Sequence, residues 1–250
     1  MLMTPARSAF PDRPGKGYNA PIESHCVTLL DLLETAQRGI KLSGRQLDIF
    51  KSNKTAPANI TLYYAGDIGL LSRPGVSIVG TRKATSHGRA RAARLARELV
   101  ERGVVIVSGL AKGIDTTAHQ TALESGGQSI AVIGTPLSKA SPAENGPLQE
   151  TIWREHLLIS PFAEGTHVFP SNFPQHNKIM AAISDATVIV EATSESGSLH
   201  QARACQDLGR WLFILKSVLD SNEWPKRFLN NEKTVILERT EQIFDALGLK

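Results

Sequence analysis

Four short segments, each directly after an apolar run, are rich in Gly, Ser and Thr: Gly80-Thr81-Arg82-Lys83-Ala84-Thr85-Ser86-His87-Gly88, Gly109-Leu110-Ala111-Lys112-Gly113-Ile114-Asp115, Gly134-Thr135-Pro136 and Thr193-Ser194-Glu195-Ser196-Gly197-Ser198. Small residues let backbone N–H groups come close to a ligand. Each segment opens into a stretch with helical spacing, whose N-terminus favours an anion. Four such loops together suit phosphate groups, although any one of them also reads as an ordinary strand–helix turn. None carries a known nucleotide fingerprint. Gly80 to Gly88 is not G-x-G-x-x-G, and no G-x-x-x-x-G-K-[ST] is present.

Charge points to the same place. Seven basic residues lie between Arg82 and Arg102, opposed only by Glu98 and Glu101, so this segment is +5 in a chain of formal charge +4. Ala92, Leu95, Ala96 and Leu99 form one helical face, with Arg91, Arg94 and Arg97 roughly opposite on a solvated face. Arg82, Lys83 and Arg89 differ, because they flank a strand end and a helix start. A phosphate held by loop amides would meet them there. The alternative for Arg82 is a salt bridge to a nearby carboxylate.

Hydrolytic chemistry finds little support. There is no G-x-S-x-G, and the seven histidines do not cluster at metal-ligand spacing. Asp115 and His119 stand i, i+4 at a helix start; they read as an N-cap and a helix-face contact, or as a catalytic pair. Glu164 and Glu191 are isolated, and Glu191 reads as a structural partner or as a partner for a ligand hydroxyl. No catalytic residue, metal or cofactor is expected.

These loops need a scaffold, and the apolar runs supply one. VSIVG (76–80), VVIVSG (104–109), SIAVIG (129–134), HLLIS (156–160), ATVIVEA (186–192) and WLFIL (211–215) mostly lack polar alternation, and a weaker TVILE follows at 234–238. Continuous apolar strands are buried on both faces, as in a parallel sheet. Helices are expected over 88–102, 114–125, 144–155, 174–184, 196–208 and 239–247. The repetition predicts a doubly wound α/β fold with a mostly parallel sheet, whose ligands bind beyond the carboxyl ends of the strands. Residues 1–23 read as a flexible tail. Residues 24–59 read as a short helical region packed on the main body, with one helix capped by Ser24 and closed by Gly39 and another starting at Ser43. ITLYYA (60–65) opens the core, 60–250.

Composition agrees. The 250 residues are 41% hydrophobic and 21% charged, ordinary globular usage, which excludes collagen-like, coiled-coil and wholly disordered classes. Cys26 and Cys205 are too few for a disulfide scaffold. With no run of about 18 apolar residues and no signal-peptide core, a soluble, cytoplasmic protein without membrane contact is expected.

VSIVGTRKATSHG, VSGLAKGIDTTAHQTAL, GGQSIAVIG and FPQHNKIMAAISDATVIVEATSESGSLHQA together resemble the DNA-processing protein A family (DprA, also called Smf), over roughly 60–247. The resemblance implies an extended Rossmann-like core that binds single-stranded DNA and helps load a RecA-type recombinase in natural transformation, without being an enzyme. It also implies a homodimer through the C-terminal part of the core, where Trp211–Leu215, Ile243, Phe244 and Leu247 offer surface or complete the core.

The family's Gly-Ser-Arg anion loop is matched by Gly80, Thr81 and Arg82, with Lys83 next to them, and its second glycine loop by Gly109, Lys112 and Gly113. Where the family carries Arg-Arg-Asn-Arg after Phe-Pro, this chain has Gln175-His176-Asn177-Lys178, leaving Asn177 and Lys178 as contacts with fewer cations. Its usual Tyr-Pro is replaced by Ser141-Pro142, with Lys139 and Asn145 nearby. Ser196, Gly197 and Ser198 complete the expected DNA- and phosphate-binding set. Aromatics are 6% of the chain, so stacking should contribute less than in aromatic-rich single-strand binders; Phe162 and Phe173 are the candidates, with core packing the other role for Phe173. Because the chain ends at Lys250, the winged-helix domain of some relatives is not expected, and the leading helices read as a remnant of an accessory domain.

A second reading is a small-nucleotide sensor or enzyme. Phosphoribohydrolases of similar fold carry Pro-Gly-Gly-x-Gly-Thr followed by paired glutamates. The corresponding stretch here, Ser194 to Gln201, has His200 and Gln201 in place of the carboxylates.

Overall fold

The computed structural model describes residues 18–35, 59–167, 173–193 and 196–249. Each continuous apolar run becomes a strand. β3 (Gly75–Gly80), β4 (Val105–Ser108), β5 (Ser129–Val132), β6 (Leu157–Ser160), β7 (Ala186–Glu191), β8 (Trp211–Leu215) and β9 (Thr234–Leu237) pair in parallel. β1 (His25–Thr28) and β2 (Thr61–Gly66) add an antiparallel edge through β6. Among the described residues the sheet runs β1-β2-β6-β5-β4-β3-β7-β8-β9.

Helices cover both faces, which is why the strands lack alternation. α2 (Ser86–Glu101), α3 (Ile114–Glu124) and α8 (Glu241–Leu247) pack on Val76, Ile78, Ile106, Val188 and Phe213. α4 (Gly146–Glu155) continues that face over Ala131 and Leu158. On the other face α1 (Leu29–Thr35), α5 (Phe173–Ile183), α6 (Ser198–Asp207) and α7 (Lys216–Ser221) pack on Val105, Val107, Ile130, Val132, Ile189 and Ile214. This is the doubly wound, mostly parallel sheet expected.

The strand order reverses at β3. The chain leaves β3 towards β4, β5 and β6 on one side, whereas β7, β8 and β9 extend on the other. A crevice opens at such a reversal beyond the strand ends, because the loops after β3 and β7 depart to opposite faces.

Several local expectations change. The helix expected from Ser24 begins only at Leu29. His25–Thr28 pairs with β2 instead, and Thr28 caps the helix by accepting from Asp31 N (3.3 Å). Tyr18 and Asn19, expected in a flexible tail, are docked: Tyr18 OH donates to Leu137 O (2.6 Å), and Trp153 Nε1 donates to Asn19 O (3.0 Å). The closure near Gly39, the helix from Ser43 and residues 1–17 of the tail lie outside the described residues. Leu212, Phe213, Ile214, Ile243 and Phe244 are buried and complete the core, because β8 is an interior strand and α8 seals one face, whereas Trp211, Leu215 and Leu247 are only half-buried. Phe162 is buried, so it presents no face for stacking, and the side chain of Phe173 lies outside the description.

Candidate functional site

A cavity of about 710 Å³ lies at the reversal point, between the loops after β3 and β7 and the first turns of α5 and α6. Of the residues expected to bind DNA, Gly80, Thr81, Arg82, Lys83, Asn177, Ser196, Gly197 and Ser198 line it together.

The loop after β3 is held from below. Thr81 N donates to Glu191 O (2.7 Å), and Thr81 Oγ1 accepts from Lys83 N (3.2 Å), curling the loop so that Arg82 and Lys83 are exposed. Gly80 is required by close approach: a Cβ there would lie 2.7 Å from Glu191 O and 2.5 Å from Ile114 Cγ1. Thr85 caps α2 by accepting from Gly88 N (2.9 Å) and donates to Glu191 Oε2 (3.0 Å). Glu191 therefore acts structurally, tying β7 to the start of α2. Thr85→Ala should cost about 1–2 kcal/mol, the usual range for a lost N-cap, read as a lowered melting temperature; an unchanged melt would show that water replaces the cap.

The loop after β4 forms the adjoining wall. Leu110 adopts φ 59°, rare for a bulky residue, and is held there by its burial and by Asn145 Nδ2, which donates to Leu110 O (2.8 Å). That turn aims the amides of Gly109 and Ala111 at Asp115 Oδ2 (3.2 and 3.4 Å). Asp115 is thus not the N-cap, which is Gly113; its carboxyl folds back onto the loop. Burial is the main influence on Asp115 and pushes its pKa up to about 7, against the pull of the two amides, Ser108 and Arg82. His119 is wholly buried on Ser129 Oγ (2.6 Å), away from the cavity lining, so no Asp115–His119 pair forms there.

α5 and α6 close the far side. Asn177 is 8% exposed and donates through Nδ2 to Gly197 O (3.3 Å), joining the two helix starts. Ser196 Oγ, Ser198 Oγ and Gln201 Oε1 are buried in the lining with no hydrogen-bond partner among the described residues. Buried polar atoms of this kind call for a ligand or water. His176 is buried beside them; burial, and then Arg82, lower its pKa to about 4.

The remaining expected contacts stand apart. Lys112 is ion-paired with Glu144, drawn towards the start of α4. Gly109 and Gly113 shape the wall through their backbone and do not line the cavity. Lys139 is exposed beyond β5, which β4 separates from the reversal point, and its carbonyl accepts from Thr135 Oγ1 (2.7 Å). Lys178 sits one residue past Asn177, outside the lining. Asp115, His176, Met180 and His200 join the site without having been assigned to it from the sequence. The signal for His176 was its place in QHNK, and that for Asp115 its place directly after the second glycine loop. A groove of about 630 Å³ between α2 and α8 holds Arg91 and Arg94, but Arg94 pairs with Glu98 (2.7 Å) and Arg91 meets Ser217, as a solvated helix face would.

The sequence profile of the DNA recombination-mediator protein A family matches residues 49–248. The chain belongs to this family. Relatives of the DNA recombination-mediator protein A family agree. DNA processing protein DprA of Streptococcus pneumoniae is 40% identical over 65% of this chain and 58% of its own length. Protein Smf of Synechocystis is 37% identical over 75% of this chain and 48% of its own. The chain thus spans about half the length of such curated relatives. The solved structure of DNA processing protein A from Helicobacter pylori, determined to describe its single-stranded DNA binding mode, superposes with a TM-score of 0.68 at 29% identity, over 83% of this chain and 93% of that one. No described helix is long and apolar enough to cross a membrane.

Proposed function

We propose that this chain binds single-stranded DNA by its phosphodiester backbone in the cavity at the β3/β7 reversal. It would act there as a recombination mediator with a RecA-type recombinase, as a cytoplasmic homodimer. The convergence of Arg82, Lys83 and the first turns of α5 and α6 on one crevice carries this reading. Amides, hydroxyls and a guanidinium hold phosphate oxygens without reading bases, so affinity should depend on salt and little on sequence. The H. pylori relative's single-stranded DNA binding supports the choice of ligand.

The cavity volume also falls in the range of small-ligand pockets, which keeps a mononucleotide as the competing ligand. Titration of the full chain with oligothymidylate and with thymidine monophosphate decides between them. The oligonucleotide should bind at least tenfold tighter; equal affinity would favour a small-nucleotide site.

No hydrolysis of nucleoside monophosphates is expected. Cleavage of an N-glycosidic bond needs a carboxylate beside the developing oxocarbenium; the sequence has His200 and Gln201 where the similar phosphoribohydrolase motif has paired glutamates, and of the two carboxyls in the cavity Glu191 is engaged by Thr85 and Asp115 by the Gly109 and Ala111 amides. Free base released above background, and lost in Glu191→Ala or Asp115→Ala, would overturn this.

A further inference from the structure

Two carboxyls line the cavity, Glu191 and Asp115, and they are held differently. Glu191 accepts from both Thr85 N (3.2 Å) and Thr85 Oγ1 (3.0 Å). Asp115 is 6% exposed, and the two amides that Oδ2 accepts from stand at 3.2 and 3.4 Å. Asp115 is thus almost withdrawn from water, whereas Glu191 is only half-buried. Across Gly109 from it stands His176: a Cβ built on Gly109 would lie 2.9 Å from Asp115 Oδ2 and 3.2 Å from His176 Nε2. Arg82 and Lys83 face the same space from the loop after β3, and His200 from α6.

A phosphodiester is an anion throughout the physiological range. Brought beside an ionised Asp115, it would set a second negative charge against a carboxylate already withdrawn from water. Brought beside a protonated Asp115, it gains an O–H donor. We propose that Asp115 belongs to the anion site and enters it as a neutral carboxyl, so that a strand bound in this cavity takes up one proton from solvent. The proposal rests on the single-strand reading above. Burial makes the exchange accessible, since it pushes the Asp115 pKa up to about 7, into the physiological range. His176, lowered to about 4, stays neutral across the same window.

The test is binding of an oligothymidylate of about 30 nucleotides, which has no titrating group between pH 6 and 8.5, at constant salt. With a midpoint near 7, Kd should rise about 30-fold from pH 6 to pH 8.5. Asp115→Asn, which keeps an acceptor for the two amides, should hold Kd constant within about twofold. His200→Gln should keep the wild-type slope of Kd with pH, whatever its absolute affinity. Calorimetry of the wild type in buffers of differing ionisation enthalpy should count about one proton taken up near pH 8; this stands by itself if Asp115→Asn fails to fold. A wild-type Kd that does not change with pH, a slope surviving in Asp115→Asn, a slope lost in His200→Gln or a proton count of zero would each overturn the proposal and leave the single-strand reading in place. Absence of oligonucleotide binding at every pH would overturn both.

Discussion

Arg82→Ala is expected to weaken single-stranded DNA binding by about 1.5–3 kcal/mol, roughly 10- to 150-fold, with folding almost unchanged. Arg82 is exposed at the end of β3, where it lines the cavity. Its planar fork can hold two phosphate oxygens at once, which the point charge of Lys cannot reproduce. Arg82→Lys should therefore fall between wild type and Ala. Losing one phosphate contact should also lower the slope of log affinity against log salt by about 0.7. Titrations at several salt concentrations, with thermal melts as the folding control, read both quantities. An Ala variant that melts normally and binds with unchanged affinity and slope would place the phosphate elsewhere. A variant that melts several degrees lower would show that Arg82 serves the fold.

Gly113→Val is expected to be the most damaging single change in the site, costing about 3–5 kcal/mol through backbone strain and overpacking together. Gly113 adopts φ +81°, and a Cβ there would stand 2.5 Å from Thr81 O and 2.8 Å from Arg82 O. Both are backbone atoms of the loop that carries Arg82, so they cannot swing aside as the end of a side chain would. Gly126 provides the control. It has φ +70° but nothing within 4 Å of its Cβ, so Gly126→Ala should cost only about 1 kcal/mol. Denaturant unfolding of both variants shows whether the crowded glycine costs more to replace than the open one. The Gly113 variant should also lose DNA affinity wherever it remains folded, because relieving the clash moves Thr81 and Arg82. Equal costs at the two glycines would show that the β3 loop yields freely and does not preorganise the arginine.

The core was legible because its evidence is local. Val104–Val107 and Val188–Val190 are continuous apolar runs, and Val76–Val79 is broken only by Ser77, as suits strands buried on both faces. The helices between them announced themselves by apolar residues three and four apart. The edge was less legible. His25–Thr28 becomes a strand because β2 offers it a ladder, and a four-residue segment carries too little pattern to show that in advance.

The site divides along the same line. Its amides, hydroxyls and Arg82 belong to loops that open helices, so residue types and chain order alone marked them as candidate ligands for an anion. Which loops meet depends on strand order, a non-local property that spacing along the chain does not encode. β7 pairs with β3, so the loop after β7 reaches Arg82, while β4 intervenes before β5 and leaves Lys139 remote. Lys112 was a reasonable phosphate ligand until α4 brought Glu144 beside it. Burial is likewise decided by packing: Asp115 and His176 are ordinary polar residues in the sequence, and the tertiary structure withdraws both from water, raising the pKa of one and lowering that of the other. The chain's own order of residues therefore determined the layers and the glycine- and serine-rich loops proposed to bind an anion, and the tertiary structure determined which of those loops share a cavity and how the charges inside it are held, because both follow from contacts between segments far apart in sequence.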